Sequence, residues 1–401
     1  MSAVEEIETS MIDGAGYMTE ERQMIQEVAR DFTMNEVLPV ANELDPVQGL
    51  IPDELRDKLA QMGYFGILVP EEYGGMGLGC FEYCLITEEL ARGWMSVASL
   101  IARGNGMFGA DFMSEDQRRE WLPKCASGEY LAEAALSEPD TGSDLASISC
   151  RAVRDGDEYV VTGNKYWCTF ADGADYLMLF ARTSEPGDPS KRHQGISAFF
   201  VPKPRGELPK GCNGSPIPKI GYFGWNTYEL SFAGCRVPAV NMIGEEGKAF
   251  YIMASGLETA RAHTAARSIG LARGALEDAA AYSLERNQFQ RAIAEFQAIR
   301  FKIADMATEI EAARHLLHFV CNEIDQGRRW DKEESMAKRF ASEMAEGVTS
   351  EALQVLGGAG YTKLDAVERY WRDSRLTKIF EGTSEIQKRI ISDHILGRAG
   401  R

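Results

Sequence analysis

Tyr176-Leu-Met-Leu-Phe-Ala181 and Gly195-Ile-Ser-Ala-Phe-Phe-Val201 are two short apolar runs, separated by a Pro-, Gly- and Ser-bearing segment over Ser184 to His193. Runs of this length, bounded by turn-forming residues, predict strands, and the segment between them predicts an exposed loop. Tyr159 to Val161 and Tyr228 to Phe232 have the same texture, with a turn signal at Asp155-Gly156. Residues 131–243 therefore read as a small antiparallel β domain. On either side the period changes. Before it, apolar residues recur at three and four spacing, as at Ile25, Val28 and Phe32, with breaks at Pro46, Pro70 and Gly74 to Gly79, so residues 1–130 predict an N-terminal helical domain. After it, Ile299, Ile303, Met306, Ile310, Ala313, Leu317 and Val320 form one long stripe, and residues 244–401 predict a C-terminal helical bundle domain. The fold class expected is mostly α with a central antiparallel β domain. A β body held between two helical ones leaves clefts at the junctions, where a ligand site is expected.

The chain has 401 residues, 44% of them hydrophobic, enough for a large core divided among two or three domains. Its net charge of -18 repels phosphate backbones and anionic lipid headgroups, so neither nucleic acid nor a membrane surface is an expected partner. The most basic short stretch, Pro202 to Lys210, is Pro-rich and reads as a surface loop. No apolar run approaches the roughly 20 residues that span a bilayer. Met1 to Gly14 is acidic where a targeting signal would be basic, so a cytoplasmic location is expected. The eight cysteines include no CxxC pair and predict reduced, mostly buried thiols, with no disulfide frame and no metal site. His315 and His318 read as the packing and surface of one amphipathic helix.

Five fragments carry chemistry. Ala135-Leu-Ser-Glu-Pro-Asp-Thr-Gly-Ser-Asp144 offers backbone N–H groups, Gly142 and the hydroxyls of Thr141 and Ser143 to a carbonyl or phosphate, although a Gly-Ser turn entering a strand looks the same. Lys165-Tyr-Trp-Cys-Thr169 places Trp167 and Thr169 on one strand face, as a flavin flank or as an ordinary buried aromatic. Arg286-Asn-Gln-Phe289 with Phe296-Gln297 supplies a guanidinium suited to a pyrophosphate. Gln354-Val-Leu-Gly-Gly-Ala-Gly-Tyr361 permits close backbone approach to a ligand, or caps a helix. Lys378-Ile-Phe-Glu381-Gly-Thr-Ser-Glu-Ile-Gln387 sets one carboxylate after two apolar residues, a setting that raises a carboxyl pKa towards neutrality and suits a proton acceptor.

In this order, the fragments resemble the acyl-CoA dehydrogenase family from about Thr19 to Gly397. Ser137 to Asp144 is similar to the family's first signature, and Gln354 to Tyr361 through Glu381 to Gln387 to its second. The resemblance implies the family fold, an N-terminal helical domain, a β-barrel-like middle domain and a C-terminal four-helix bundle. It implies FAD as cofactor and oxidation of an acyl-CoA thioester to the trans-2-enoyl-CoA, with Glu381 taking the α proton and flavin N5 receiving the β hydrogen as hydride. Leu136, Ser137 and Gly142 would then face the flavin, Ser143 the flavin and CoA, and Trp167 with Thr169 the flavin's flank. Arg286, Gln288, Phe296, Gln297, Gln354, Val355, Leu356, Gly357 and Gly358 would reach FAD across a subunit interface, while Thr383 and Glu385 hold it from their own chain. That arrangement implies a homotetramer, and the family's usual electron acceptor is an electron-transferring flavoprotein.

Some members carry the base on an earlier helix, where this chain reads Ser255-Gly-Leu-Glu-Thr-Ala260-Arg261. Ala260 occupies the position of that alternative base, while Glu258 and Arg261 match residues that meet the pantetheine, and Gly382 adjoins the substrate. Three positions depart from the usual pattern: Phe170 for Asn, Gln290 for Gly and Phe380 for Tyr. The acyl tail would run beside Glu89 to Asn105, where Arg92 is common in short-chain members and Arg103 resembles the pattern of methylsuccinyl-type dehydrogenases. A buried Arg103 needs an anion, either a substrate carboxylate or one of the chain's own acids. A short, branched or carboxylated acyl chain is the expected substrate. An acyl-CoA oxidase and a non-catalytic helical scaffold are the alternatives.

Overall fold

The computed structural model describes residues 16–105, 110–188, 190–328 and 330–397, without the side chains of 254, 255 and 258. The N-terminal part is helical: α1 (Glu20–Phe32), α2 (Leu38–Leu44), α3 (Asp53–Gln61), α4 (Cys80–Gly93), α5 (Met95–Leu100), α6 (Ala102–Asn105) and α7 (Glu115–Ala126). Thr19 caps α1 by accepting from the Arg22 N–H at 3.2 Å, with Glu20 and Glu21 in the positive first turn. Ala29 is the residue of α1 that is fully buried, whereas Val28 faces solvent.

The middle part contains β1 (Ala132–Ala135), β2 (Arg151–Asp155), β3 (Glu158–Thr169), β4 (Tyr176–Arg182), β5 (Ile196–Pro202), β6 (Cys212–Pro216), β7 (Thr227–Pro238) and β8 (Met242–Ile243). They form one sheet in the order β6-β7-β3-β2-β4-β5-β8, with β1 beside β4. Neighbours are antiparallel except where β4 meets β1 and β2, which it pairs in parallel. The apolar runs at 176–181 and 195–201 are β4 and β5, and their continuity has a physical cause. Tyr176, Met178, Phe180, Ala198 and Phe200 enter a core with Trp121 and Leu122 of α7, while Leu177, Leu179, Phe199 and Val201 enter a second core with β3 and β7. Strands covered on both faces lose the polar half of the two-residue alternation.

The C-terminal part holds α8 (Ala249–Glu285), the short hairpin β9 (Asn287–Gln288) and β10 (Arg291–Ala292), then α9 (Gln297–Asp325), α10 (Asp331–Leu356), α11 (Ala366–Thr377) and α12 (Ser384–Leu396). Helix α8 packs against α9, α10 and α11 as a bundle, and also against α4. Gly270 makes that last contact possible, because a Cβ there would lie 2.2 Å from the Glu88 carbonyl oxygen. N-terminal and C-terminal helices consequently share one core running from Ala29 to Tyr370. Charged residues inside it are paired: Arg273 Nη1 donates to Glu89 at 2.7 Å, Arg314 Nη2 to Glu88 at 2.8 Å, and Arg92 Nε to Glu277 at 2.9 Å. Arg92 is therefore a packing residue.

All eight cysteines are buried and free. Three that look scattered in sequence meet in space, with Cys80 Sγ 4.0 Å from Cys84 Sγ and 3.9 Å from Cys321 Sγ. None of the described helices is long and apolar enough to cross a membrane.

Candidate active site

Residues 378–383 form a tight turn between α11 and α12. Thr383 caps α12, accepting from the Ile386 N–H at 3.2 Å, and the Ser384 N–H closes the turn on the Lys378 carbonyl at 3.0 Å. Both Glu381 and Gly382 are left-handed, with φ of 52° and 88°. A side chain at 382 would meet Gln387 Nε2 at 2.5 Å, so the position admits only glycine, while Glu381 carries the strain of a non-glycine residue in that region. The Gly382 carbonyl is fastened by Lys338 Nζ at 2.7 Å and Gln387 Nε2 at 3.0 Å. Burial lowers the Lys338 ammonium to about 8, with Glu381 pulling the other way. Among the described residues no acceptor meets the Glu381 backbone N–H.

The turn projects Glu381 onto the middle of α8. Arg267 Nη2 donates to both carboxylate oxygens at 2.8 Å, and Thr264 also hydrogen-bonds the carboxylate. The apolar setting expected from Ile379 and Phe380 is thus corrected. Phe380 packs on the guanidinium, 4.6 Å from its ring centroid, and Ile379 is exposed. Arg267 is 1% exposed, Glu381 32%. Arg267 Nη1 donates to Ser99 Oγ of α5 at 2.7 Å. Arg267, Thr264, Ser99 and Lys338 were not legible as site residues. The one available signal was an arginine that follows Ala262, Ala265 and Ala266 in the middle of a long helical stretch. Ala260, where the alternative base would stand, is one turn before Thr264, whose Oγ1 contacts its carbonyl at 2.9 Å.

Beside this cluster, Tyr222 and Trp225 complete a wall with Phe380, at ring separations of 5.9 and 5.0 Å from Tyr222. Burial pushes the Tyr222 phenol up to about 12, against the pull of the Arg267 and Arg103 guanidiniums. Arg103 lies over the Trp225 ring at 5.1 Å and donates to an internal carboxyl, Glu133 of β1, at 2.6 Å. Burial lifts the Glu133 carboxyl to about 8 even so. Arg261 is turned towards α10, 3.3 Å from Glu334, and the side chain of Glu258 lies outside the described residues.

The middle-domain fragments come together. Lys165 Nζ bonds the Leu136 carbonyl and the Glu138 carboxylate, both at 2.9 Å, and the Tyr166 N–H bonds the Ser137 carbonyl at 2.8 Å. The loop carrying Gly142 and the exposed Ser143 is thereby pinned beside Trp167. Simple alternation does not set the Trp167 direction, because β3 has a bulge between Lys165 and Cys168 and Trp167 has φ of 63°. Trp167 is 58% exposed, while Thr169 Oγ1 sits 2.9 Å from Thr227 Oγ1.

A second group assembles elsewhere. Arg286, Gln288, Phe289, Phe296, Val355, Leu356, Gly357 and Gly358 line a groove of about 680 Å³. Gln297 and Gln354 are exposed and are not part of its lining. Gly357 and Gly358 have nothing within 4 Å of an added Cβ, so their backbone is open to a ligand. Gln290, where glycine is usual, has φ of 67° and is strained in its turn. Arg286 lies 19 residues beyond Arg267 on α8, about 28 Å at 1.5 Å per residue. Glu385 is exposed in the first turn of α12.

Three family models match successive parts of the chain: acyl-CoA dehydrogenase, N-terminal domain, over residues 19–129, middle domain over 134–235, and C-terminal domain over 247–396. The chain is 41% identical over 394 residues to (2S)-methylsuccinyl-CoA dehydrogenase of Cereibacter sphaeroides, covering 96% of this chain and 71% of that protein. It is 36% identical over 382 residues to the mitochondrial short-chain specific acyl-CoA dehydrogenase of Rattus norvegicus, covering 94% and 91%. The structure matches butyryl-CoA dehydrogenase from Megasphaera elsdenii with a TM-score of 0.88 at 34% identity, covering 94% and 99%. The chain belongs to the acyl-CoA dehydrogenase family, FAD-dependent oxidoreductases that dehydrogenate acyl-CoA thioesters.

Proposed function

We propose that this chain oxidises a short, branched or carboxylated acyl-CoA to its trans-2-enoyl-CoA, with Glu381 as the base. One observation carries the reading: the Glu381 carboxylate and its unpartnered backbone N–H belong to a single clamped turn. The N–H is placed to donate to a thioester carbonyl, stabilising the enolate charge that develops as the α proton moves to the carboxylate. Lys338 and Gln387 hold the turn through the Gly382 carbonyl, so the two groups keep their relative position. The left-handed strain at Glu381 is what orients its side chain onto α8.

The residues present fit FAD. Leu136, Ser137, Gly142, Trp167 and Thr169 offer a flavin flank beside an exposed aromatic, Ser143 a hydroxyl to flavin or CoA, and Thr383 and Glu385 the start of α12. When bound, FAD supplies the hydride acceptor. Arg286, Gln288, Phe296, Gln297 and Gln354 to Gly358 would hold the same cofactor from a neighbouring copy, since about 28 Å along α8 separates Arg286 from Arg267, the partner of Glu381, and residues 355–358 share the groove of Arg286. Phe289, Tyr361 and Leu364, 88%, 82% and 91% exposed, supply apolar surface for that contact. A homotetramer and an electron-transferring flavoprotein as electron acceptor complete the proposal. Anaerobic addition of butyryl-CoA, isovaleryl-CoA and methylsuccinyl-CoA to the FAD-loaded protein should bleach the flavin with at least one of them. A coloured protein that none of them bleaches would refute it.

A further inference from the structure

Donors outnumber acceptors around the Glu381 carboxylate. Arg267 is buried, yet its Nε has no hydrogen-bond partner; the same holds for Arg103 Nε and Trp225 Nε1. These three donors belong to one wall, joined by the contacts of Arg267 with Phe380, Phe380 with Tyr222, Tyr222 with Trp225 and Trp225 with Arg103. Buried N–H groups without acceptors are costly, and two guanidiniums beside them make the missing acceptor an anion.

Arg103 is already engaged by the chain's own Glu133 carboxyl, at 2.6 Å. Arg267 has only Glu381, and a base that must take a proton from the substrate cannot stay committed to a guanidinium. We infer that Arg267 reads a carboxylate carried on the acyl chain, selecting thioesters in which that carboxylate is attached at or next to the β carbon. The inference rests on the dehydrogenase reading above and names its substrate class.

Distance sets the position of the carboxylate. Arg267 Nη2 is 2.8 Å from both oxygens of the base, and the base has to approach the α hydrogen. A carboxylate on Cβ or Cγ keeps its oxygens within about 5 Å of Cα at ordinary bond lengths of about 1.5 Å, so one guanidinium can serve both it and Glu381. A carboxylate at the end of a long chain would pass beyond the arginine. The unpartnered Nε and the Nη2 next to it form a two-donor edge that matches a carboxylate. An anion on that edge competes with Glu381 for Nη2, so the carboxylated substrate frees the base that a neutral substrate leaves ion-paired.

2-Methylsuccinyl-CoA and 2-methylbutyryl-CoA share a methyl group on Cα and differ only in a carboxylate or a methyl group on Cβ, and they form the test. The ratio of their kcat/KM values is measured by anaerobic flavin reduction for the wild type, Arg267→Gln, Arg267→Lys and Arg103→Gln. Equilibrium binding of the two enoyl products, mesaconyl-C1-CoA and tiglyl-CoA, gives a readout without turnover. The wild type should favour the carboxylated member of each pair by about 100-fold, the size expected of a charge-assisted bidentate contact out of water. Arg267→Gln should remove most of that ratio, Arg267→Lys should keep a part of it, and Arg103→Gln should change it less than tenfold. Should Arg267→Gln not hold FAD, the wild-type ratio and Arg267→Lys decide. A wild type without preference, a ratio that survives Arg267→Gln, or one that collapses only in Arg103→Gln overturns the inference. Bleaching by 2-methylbutyryl-CoA without a carboxylate preference defeats this inference alone; no bleaching by any acyl-CoA defeats the dehydrogenase reading with it.

Discussion

Glu381→Gln separates the chemical role of this residue from its structural one. The amide keeps the shape of the side chain and its contact with Thr264, but it removes the proton acceptor and presents part of an NH2 group to Arg267. Loss of a general base lowers rates by about 10² to 10⁴, which is about 3 to 5.5 kcal/mol at 1.36 kcal/mol per decade. The ion pair adds a stability term. Arg267 is 1% exposed and loses its carboxylate, a loss of about 3–5 kcal/mol for a fully enclosed pair. Glu381 is 32% exposed, so solvent screens part of that, and about 2 kcal/mol is the expected destabilisation. The assay is stopped-flow reduction of the FAD-loaded variant by an acyl-CoA that bleaches the wild type, with FAD content and product affinity measured on the same sample and stability by urea unfolding. The variant should keep its flavin, bind product and reduce at least 100-fold more slowly. Reduction within tenfold of the wild-type rate would refute the assignment of Glu381 as the base.

Lys338 holds the Gly382 carbonyl, next to the proposed base, and is lowered to about 8, chiefly by burial. It is charged below that pH, so wild-type kcat should fall as pH rises through about 8. Lys338→Met should lower kcat about tenfold, keep FAD and lose that limb of the pH profile; a limb that persists in the variant assigns it to another group. Glu88 tests the core. Burial pushes its carboxyl up, but Arg314 and Arg273 outweigh burial and hold it at about 2, below the ordinary value of 4.5. Its contribution to stability is present above pH 4.5 and is lost as pH falls from there towards 2. Up to about 3 kcal/mol should disappear across that window, read by denaturant unfolding at a series of acid pH values. In Glu88→Gln the slope should flatten, and an unchanged slope would show that other carboxylates carry the acid response.

Much of the architecture was visible in short-range patterns. The apolar runs that became β4 and β5, the turn residues around them and the stripe on α9 all report local backbone preference, and they read correctly as strands and helix. The parallel pairing of β1 with β4 was not visible, because strand order depends on which faces need covering. Arg286, Gln288, Phe296 and residues 355–358 are far apart along the chain but meet in one groove. The environment of Glu381 misled for a definite reason. Its sequence neighbours are apolar, yet the turn sets its carboxylate on the Arg267 guanidinium, a partner distant in sequence.

Residue pattern alone determined the helical and β texture of the chain, the thiol-rich interior without disulfides and, through ordered motifs, the family to which it belongs. Only the tertiary structure decided what surrounds the carboxylate. Arg267 is 114 residues from Glu381 and Lys338 is 44 from Gly382, and Ser99 reaches the cluster from a third region. Their meeting depends on the rotation of α8 against α5, α10 and the turn after α11. Each residue advances an α-helix by about 100°, so a register error of one position would send Arg267 into another face of the core. Local propensity says nothing about that rotation; the packing of the α4–α8 contact at Gly270 and of the bundle around it sets it.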